Sequence, residues 1–283
     1  MPITAEKMQR EIDTLLNLPT LPGVLDVITG MVDDDRVNVD QVGEVIARDQ
    51  VLSAKVLRLV NSPFYGFPGR ISNVSHAIVL LGFNVIKGLL LSTAVFDSLA
   101  DEVRGLWEHS LGTAVLSRVL AKQKGMRDPE EVMVAGLLHD IGKVILSFVA
   151  KDDYLGVIRL AHGCNVHVSS IEYDVFGFTH TTVAGWLAER WSMPERLADS
   201  MRYHHRPEWS KNHYETVAVV QLADILARAL EYGDGGDSSM PPVDADAFRS
   251  LGISFDSLGG LIEKADEAYR SGVDLFDTRS DAQ

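Results

Sequence analysis

Ala135-Gly136-Leu137-Leu138-His139-Asp140-Ile141-Gly142-Lys143 is the stretch on which the fold turns. Its apolar residues continue a helix that opens at Asp128-Pro129-Glu130-Glu131. That opening offers an N-cap, a first-turn proline whose missing N–H would be unpaired there anyway, and two acids suited to the helix dipole. Consecutive His and Asp inside so apolar a segment is an unusual pair. Lys143 follows Asp140 by three residues, so it shares that helix face and is placed to pair with Asp140 or to contact a phosphate.

Working outward, helical periodicity dominates and alternating strand patterns are scarce. Upstream, residues 3–16 read as an amphipathic helix, broken by Leu18-Pro19-Thr20-Leu21-Pro22-Gly23. Pro22 suits the first turn of a helix with the apolar stripe Leu25, Ile28, Met31 and Val32. Asn38 caps a helix through Arg48, and Asp49 caps one over Val51–Val60. An aromatic, Pro/Gly-rich loop, Asn61 to Gly69, precedes helices at Val74–Leu81 and Asn84–Leu99. A long helix then covers Glu102–Lys124.

Downstream, helices are predicted at 151–163, 168–176, 180–191, 194–205, 213–232 and Phe255–Ser271. Gly233-Asp234-Gly235-Gly236-Asp237-Ser238-Ser239 reads as a flexible loop, and the polar tail past Phe276 as frayed. The expected fold is therefore all-α: a helical bundle with an additional N-terminal helical lobe. The expected division is 1–100 for the N-terminal lobe, 101–232 for the lobe with the His/Asp motifs, and 233–283 for a flexible loop and C-terminal helix. No long linker separates the first two, so they are expected to share a core.

The 283 residues are 46% hydrophobic and 23% charged, the balance of a globular chain with a sizeable core. The net charge of -14 repels phosphate backbones and anionic lipid, so neither nucleic acid nor membrane is an expected partner. Cys164 is the single cysteine, which excludes an intramolecular disulfide and a thiolate cluster; it reads as a semi-buried small apolar residue. The N-terminus has no secretory apolar core. The most apolar stretch, Val85 to Phe96, interrupted by Lys87, is too short to span a bilayer and reads as a core helix. A cytoplasmic location is the expectation.

The chemistry concentrates in His109, His139, Asp140, His180, His204, His205 and Asp224, all on or at the ends of predicted helices in the second half. A single histidine is usually a hydrogen-bonded or surface residue, but seven such positions on four or five helices can converge on one pocket. Neutral imidazoles and carboxylates suit a divalent transition metal such as Fe, Mn, Zn or Ni, and Asp140 could bridge two ions. His204 and His205 point about 100° apart on a helix, so both reach one site only at a helix end or across a two-metal cluster. His76, His162, His167 and His213 lack such context and read as structural or surface residues.

Leu137 to Lys143 resembles the signature of the HD phosphohydrolase superfamily. His109 and Asp224 stand where that family places its first histidine and last aspartate. His180 and His204-His205 are similar to the extra histidines of the HD-GYP branch, which hydrolyses cyclic di-GMP. Here, however, the paired histidines run on as Arg206-Pro207-Glu208-Trp209, with no Gly-Tyr-Pro.

The N-terminal half is similar to a more specific family, the HDOD (HD-related output) domains. The similarity lies in Leu18-Pro19-Thr20-Leu21-Pro22, in Ala47 through Gly66, in Ser75 through Gly82 and in Phe178 through Leu187. The family commonly has proline where this chain has Gln50. The resemblance covers residues 15–230.

It implies a bacterial signal-transduction module without established hydrolase activity, here with all seven metal-ligand positions retained. A signalling protein or a small phosphorylated ligand would be the partner. The alternative is a metal-dependent phosphohydrolase acting on a nucleotide, cyclic dinucleotide or phosphate ester, with Lys143 as its phosphate-steering residue. A redox- or oxygen-responsive diiron site is a third reading.

Overall fold

The computed structural model describes residues 2–15, 39–47, 50–61, 65, 67, 69–98, 105–237 and 239–276. The expected break at 18–23, the stripe from Leu25 to Val32, the caps Asn38 and Asp49, the joint at 99–102 and the tail past Phe276 lie outside the described residues. Those described form helices and connecting turns, with no strand among them. The fold is all-α, as the periodicity predicts.

Five described helices precede the site: α1 (Ala5–Leu15), α2 (Val39–Ala47), α3 (Gln50–Val60), α4 (Val74–Leu81) and α5 (Phe83–Ser98). Asn73 starts α4 by accepting the His76 N–H at 2.7 Å, and Gly82 ends it at φ +86°. Asn61 locks the turn after α3: its Nδ2 donates to Leu57 and Ile71 carbonyls and its Oδ1 accepts from Ile71 N. In the aromatic loop, Tyr65 and Phe67 stack at 5.9 Å, with the Arg118 guanidinium over the Tyr65 ring. That loop thus joins the early helices to the later ones.

The site is built by α6 (Leu106–Lys124), α7 (Pro129–Leu138), α8 (Ile141–Val149), α9 (Lys151–Cys164), α10 (Val168–Phe176), α11 (His180–Arg190), α12 (Glu195–Tyr203) and α13 (Tyr214–Ala229). A 3-10 turn at Pro207–Trp209 and α14 (Ala245–Leu251) were not expected from the sequence, and α15 (Phe255–Phe276) closes the described chain. Asp128 holds the N-cap position of α7, yet its side chain makes no cap bond and pairs with Arg196 instead. Cys164 is exposed at the end of α9 rather than semi-buried.

One hydrophobic cluster runs through both halves. Met8, Ile46, Val56, Ile86 and Leu90 pack in the same core as Leu116, Val134, Leu138, Val183 and Ala223. Lys87 of α5 is buried within it and donates to the Trp191 and Ser192 carbonyls, capping the C-terminal end of α11. A cation there satisfies carbonyls that a helix end leaves unpaired.

Among the described residues, Pro129–Val149 is a further apolar segment, longer than Val85–Phe96. It is long enough to cross a membrane, but 89% of its apolar window is buried inside the fold. It carries the His-Asp pair, so it is the core element on which the site is hung.

Candidate metal centre

The helix expected to run unbroken through His139 and Asp140 is two helices. Leu138 ends α7, Ile141 begins α8, and the His-Asp pair forms the joint. Asp140 sits at φ -98°, ψ 11°, and Lys143 N closes onto Asp140 O at 2.9 Å. Bridge-region backbone at this point re-aims successive side chains. His139 and Asp140 therefore face one pocket instead of diverging around a continuous helix. Gly142 makes the joint possible, because a Cβ there would lie 2.0 Å from the His180 carbonyl oxygen. Its absence lets the start of α11 press against the joint.

Asp140 divides the cluster between its two oxygens. Toward Oδ2 lie His139 Nε2 at 3.1 Å and His109 Nε2 at 3.6 Å. Asp224 completes this group, its Oδ1 being 3.0 Å from His109 Nε2 and 4.0 Å from His139 Nε2. Toward Oδ1 lie His180 Nε2 at 3.4 Å and His204 Nε2 at 3.6 Å. His205 joins the second group, its Nε2 being 3.2 Å from His180 Nε2.

The ligand-type atoms of His109, His139 and Asp224 lie within 4.8 Å of one another, as do those of Asp140, His180, His204 and His205; each group could hold a metal ion. His204 and His205 were expected inside a helix ending at 205, but α12 stops at Tyr203. Both therefore stand on the turn beyond it, with ring centroids 4.0 Å apart, which is how adjacent histidines come to face one site.

The far sides of the rings are fixed. His139 Nδ1 contacts Gly136 O at 2.7 Å and His204 Nδ1 contacts Ser200 O at 3.1 Å. His180 Nδ1 contacts Glu172 Oε2 at 2.7 Å, while Tyr154 donates its hydroxyl to Glu172 Oε1. A hydrogen bond on one ring nitrogen sets the tautomer and aims the other, the arrangement metal-binding histidines use.

The inward atoms meet the chemical requirement. His109 Nε2, His139 Nε2, His204 Nε2, Asp140 Oδ1 and Asp224 Oδ2 are buried and have no hydrogen-bond partner among the described residues. Each such atom costs on the order of 1–3 kcal/mol when left unmatched. Brought together from separate parts of the chain, they fit cation ligation.

Electrostatics agrees. Burial alone would raise the Asp140 pKa, but His139 and Lys143 outweigh it and hold the carboxyl well below its ordinary range. Asp224 is likewise held low against its burial, by Arg228 and His109. Burial pushes His109 below the ordinary histidine value and His204 well below it, which keeps both imidazoles neutral as ligation requires.

The HDOD domain pattern matches residues 18–207, two thirds of the sequence. The chain belongs to the HDOD family. An uncharacterized protein of Treponema pallidum is 25% identical over 228 residues, which are 77% of this chain and 44% of that one. The chain thus spans less than half the length of that curated relative. Among solved structures, an HDOD domain protein of unknown function from Geobacter sulfurreducens is 29% identical, with TM-score 0.73 over 95% of this chain and 97% of that chain. A candidate phosphohydrolase from Shewanella amazonensis has TM-score 0.68 at 22% identity, over 95% and 96%. It shows the fold alone.

Within the HDOD fold, all seven sequence-predicted ligand positions fall in the cluster, and Lys143 donates to Asp140 Oδ2 at 2.7 Å. Four neighbours escaped the sequence reading. Glu172 orients His180. Arg228 donates to Asp224 Oδ1 at 2.9 Å, and Asp237 accepts from Arg228 at 3.1 Å. His167, set aside as structural or surface, stacks edge-on against His205 at 4.5 Å, and burial lowers its pKa to about 4.

Arg228 had a signal, since it follows Asp224 by four residues on one helix face. The others reach the site through tertiary packing and left none. Of the remaining histidines set aside, His76 and His162 are exposed, and His213 pairs with Glu195.

Proposed function

We propose that this HDOD protein is a regulatory module whose buried cluster binds two divalent transition-metal ions, one on each side of Asp140. It acts by engaging a signalling partner rather than by turnover. The observation that carries the reading is the enclosure of both donor groups: His109, His139, Asp140, His180, His204 and Asp224 are all buried, and only His205 is half-buried. Structural metal sites are closed by protein ligands, whereas catalytic ones keep an open position. Metal held by ligands from α6, the α7–α8 joint, α11, the turn after α12 and α13 would fix the packing of those helices. That packing is continuous with the N-terminal helices through the shared core and through Lys87 on the end of α11.

Elemental analysis of protein purified without a nickel column tests this, together with an assay on phosphate esters. About two equivalents of metal in wild type, almost none in Asp140→Ala, and no turnover are expected. Metal-free wild-type protein after reconstitution would sink the proposal, and robust turnover would replace it with the second reading.

That second reading is a metal-dependent phosphohydrolase. Two buried cations beside the cluster, Lys143 and Arg228, favour it. A bound divalent ion would supply an acidified water and neutralise a phosphoryl oxygen. Lys143 would then steer the phosphate, and Asp140→Ala would be inactive.

A further inference from the structure

His167 is built like the histidines of the cluster. It is the N-cap residue of α10, and its Nδ1 lies 2.7 Å from Ser169 Oγ and 3.4 Å from Ser169 N. Its Nε2 is buried and has no hydrogen-bond partner among the described residues. Capping a helix occupies one ring nitrogen only. It gives no reason to bury the other one unmatched, at a cost on the order of 1–3 kcal/mol. The Oγ contact is the shorter of the two. A tautomer that donates Nδ1–H to it leaves the Nε2 lone pair open to a cation, as His139 and His204 do with their carbonyl partners.

His205 supplies the complement. Its Nε2 belongs to the Oδ1 group, 3.2 Å from His180 Nε2. Its Nδ1 is also buried with no hydrogen-bond partner among the described residues. The two nitrogens of an imidazole point apart, so one ring can offer a lone pair to two places in turn. The rings of His167 and His205 stand 4.5 Å apart at 84°. Both residues are half-buried, whereas the other six members of the cluster are buried. The pair therefore stands on the side from which solvent reaches the centre.

Charge keeps this outer position weak. Lys143 and Arg228 oppose a positive charge at His167, and Asp237 favours one. Both cations are already paired, Lys143 with Asp140, and Arg228 with Asp224 and Asp237. Two imidazoles completed by water hold an ion less tightly than the three imidazoles and one carboxylate of the Oδ1 group. Transfer inward is downhill.

We propose that His167 Nε2 and His205 Nδ1 form an outer capture position for a divalent transition-metal ion, from which His205 passes the ion to Asp140, His180 and His204. This inference rests on the metal-centre reading and adds an eighth residue and an entry route to it. A contact made only in passing exists in neither the empty nor the loaded protein. It therefore changes the rates of loading and release alike and leaves the final affinity unchanged.

The test follows Co²⁺ uptake by metal-free protein in stopped flow, through the ligand-field absorption of the bound ion. Release is read with a chelator chase and affinity by equilibrium titration. His167→Asn keeps a strong N-cap side chain and removes the outer nitrogen. The variant is expected to bind as many ions as wild type with the same affinity, and to load and release the Oδ1-side ion about tenfold more slowly. Wild-type loading is expected to level off as Co²⁺ rises, because capture precedes transfer.

Equal loading rates in wild type and His167→Asn overturn the inference. Weaker binding through faster release alone also overturns it, since His167 would then be a structural support. If the variant does not fold, wild type decides: a loading rate strictly proportional to Co²⁺ over the whole accessible range overturns the inference, and levelling off supports it. Each of these results leaves the metal reading intact. Wild-type protein that takes up no metal overturns both.

Discussion

The two sides of Asp140 are built differently. The Oδ2 side draws His109 from the first turn of α6, His139 from the joint after α7 and Asp224 from the interior of α13, all three buried. The Oδ1 side draws His180 from the first residue of α11, and His204 and His205 from the turn after α12. The first set is fully enclosed, with no member exposed. The second depends on helper groups: Glu172 under His180, Ser200 under His204 and His167 against His205. Local opening is easier where a ligand stands on a turn and is half-exposed. The Oδ1 side is therefore the one expected to exchange metal and respond to conditions.

The largest expected effect joins the two sides. Asp140→Ala should empty both, taking bound metal from about two equivalents to near zero with a clear drop in melting temperature, since a ligand bound only to the folded state stabilises it. If one equivalent survived, Asp140 would not be shared.

Next, His139→Ala and His205→Ala should separate the sides, each losing about one equivalent. The His205 variant should keep the Oδ2 metal and lose less thermal stability. Equal losses of both metals in either variant would erase the distinction drawn here.

A smaller effect belongs to the helper. Glu172→Gln should weaken the Oδ1 metal by about 10–100-fold, the usual cost of removing a partner behind a ligating histidine, and leave the other unchanged. Competition with a metallochromic chelator reads both.

The smallest effect is in pH, measured on metal-free protein. His109 and His204 have folded pKa values below the unfolded value of about 6.5, so the unfolded state binds more protons. The stability from their neutral forms is complete above that pH and is lost as pH falls. Asp140 and Asp224, also depressed, lose theirs in the same direction further into acid. The melting temperature should fall between pH 7 and 5. A melting temperature that rose over this range would contradict the burial of these rings.

Much of the molecule was legible in the sequence because its information is local. Helical periodicity placed α4 residue for residue and α10 at 168–176, and His-Asp in an apolar helix marked the centre. What was not legible is non-local. Whether α7 and α8 are one helix or two was settled by backbone turning at Asp140, where Gly142 lets α11 approach. His204 and His205 share a site because α12 ends two residues early. His167 looked like a surface residue because its partner, His205, is distant in sequence. The Gly/Asp/Ser loop read as mere flexibility because its composition carries no trace of Lys143 and Arg228 beneath it.

By itself the sequence determined the all-α fold, the family and the identity of the seven His/Asp positions, since each is written in residue type and spacing along one helix or motif. Only the tertiary structure decided that Asp140 divides them into two groups, that Glu172 and His167 stand behind the second, and that the loop at 233–237 covers the cations. Those facts depend on where separate helices cross, and crossing is fixed by how buried side chains and close glycine contacts pack in three dimensions.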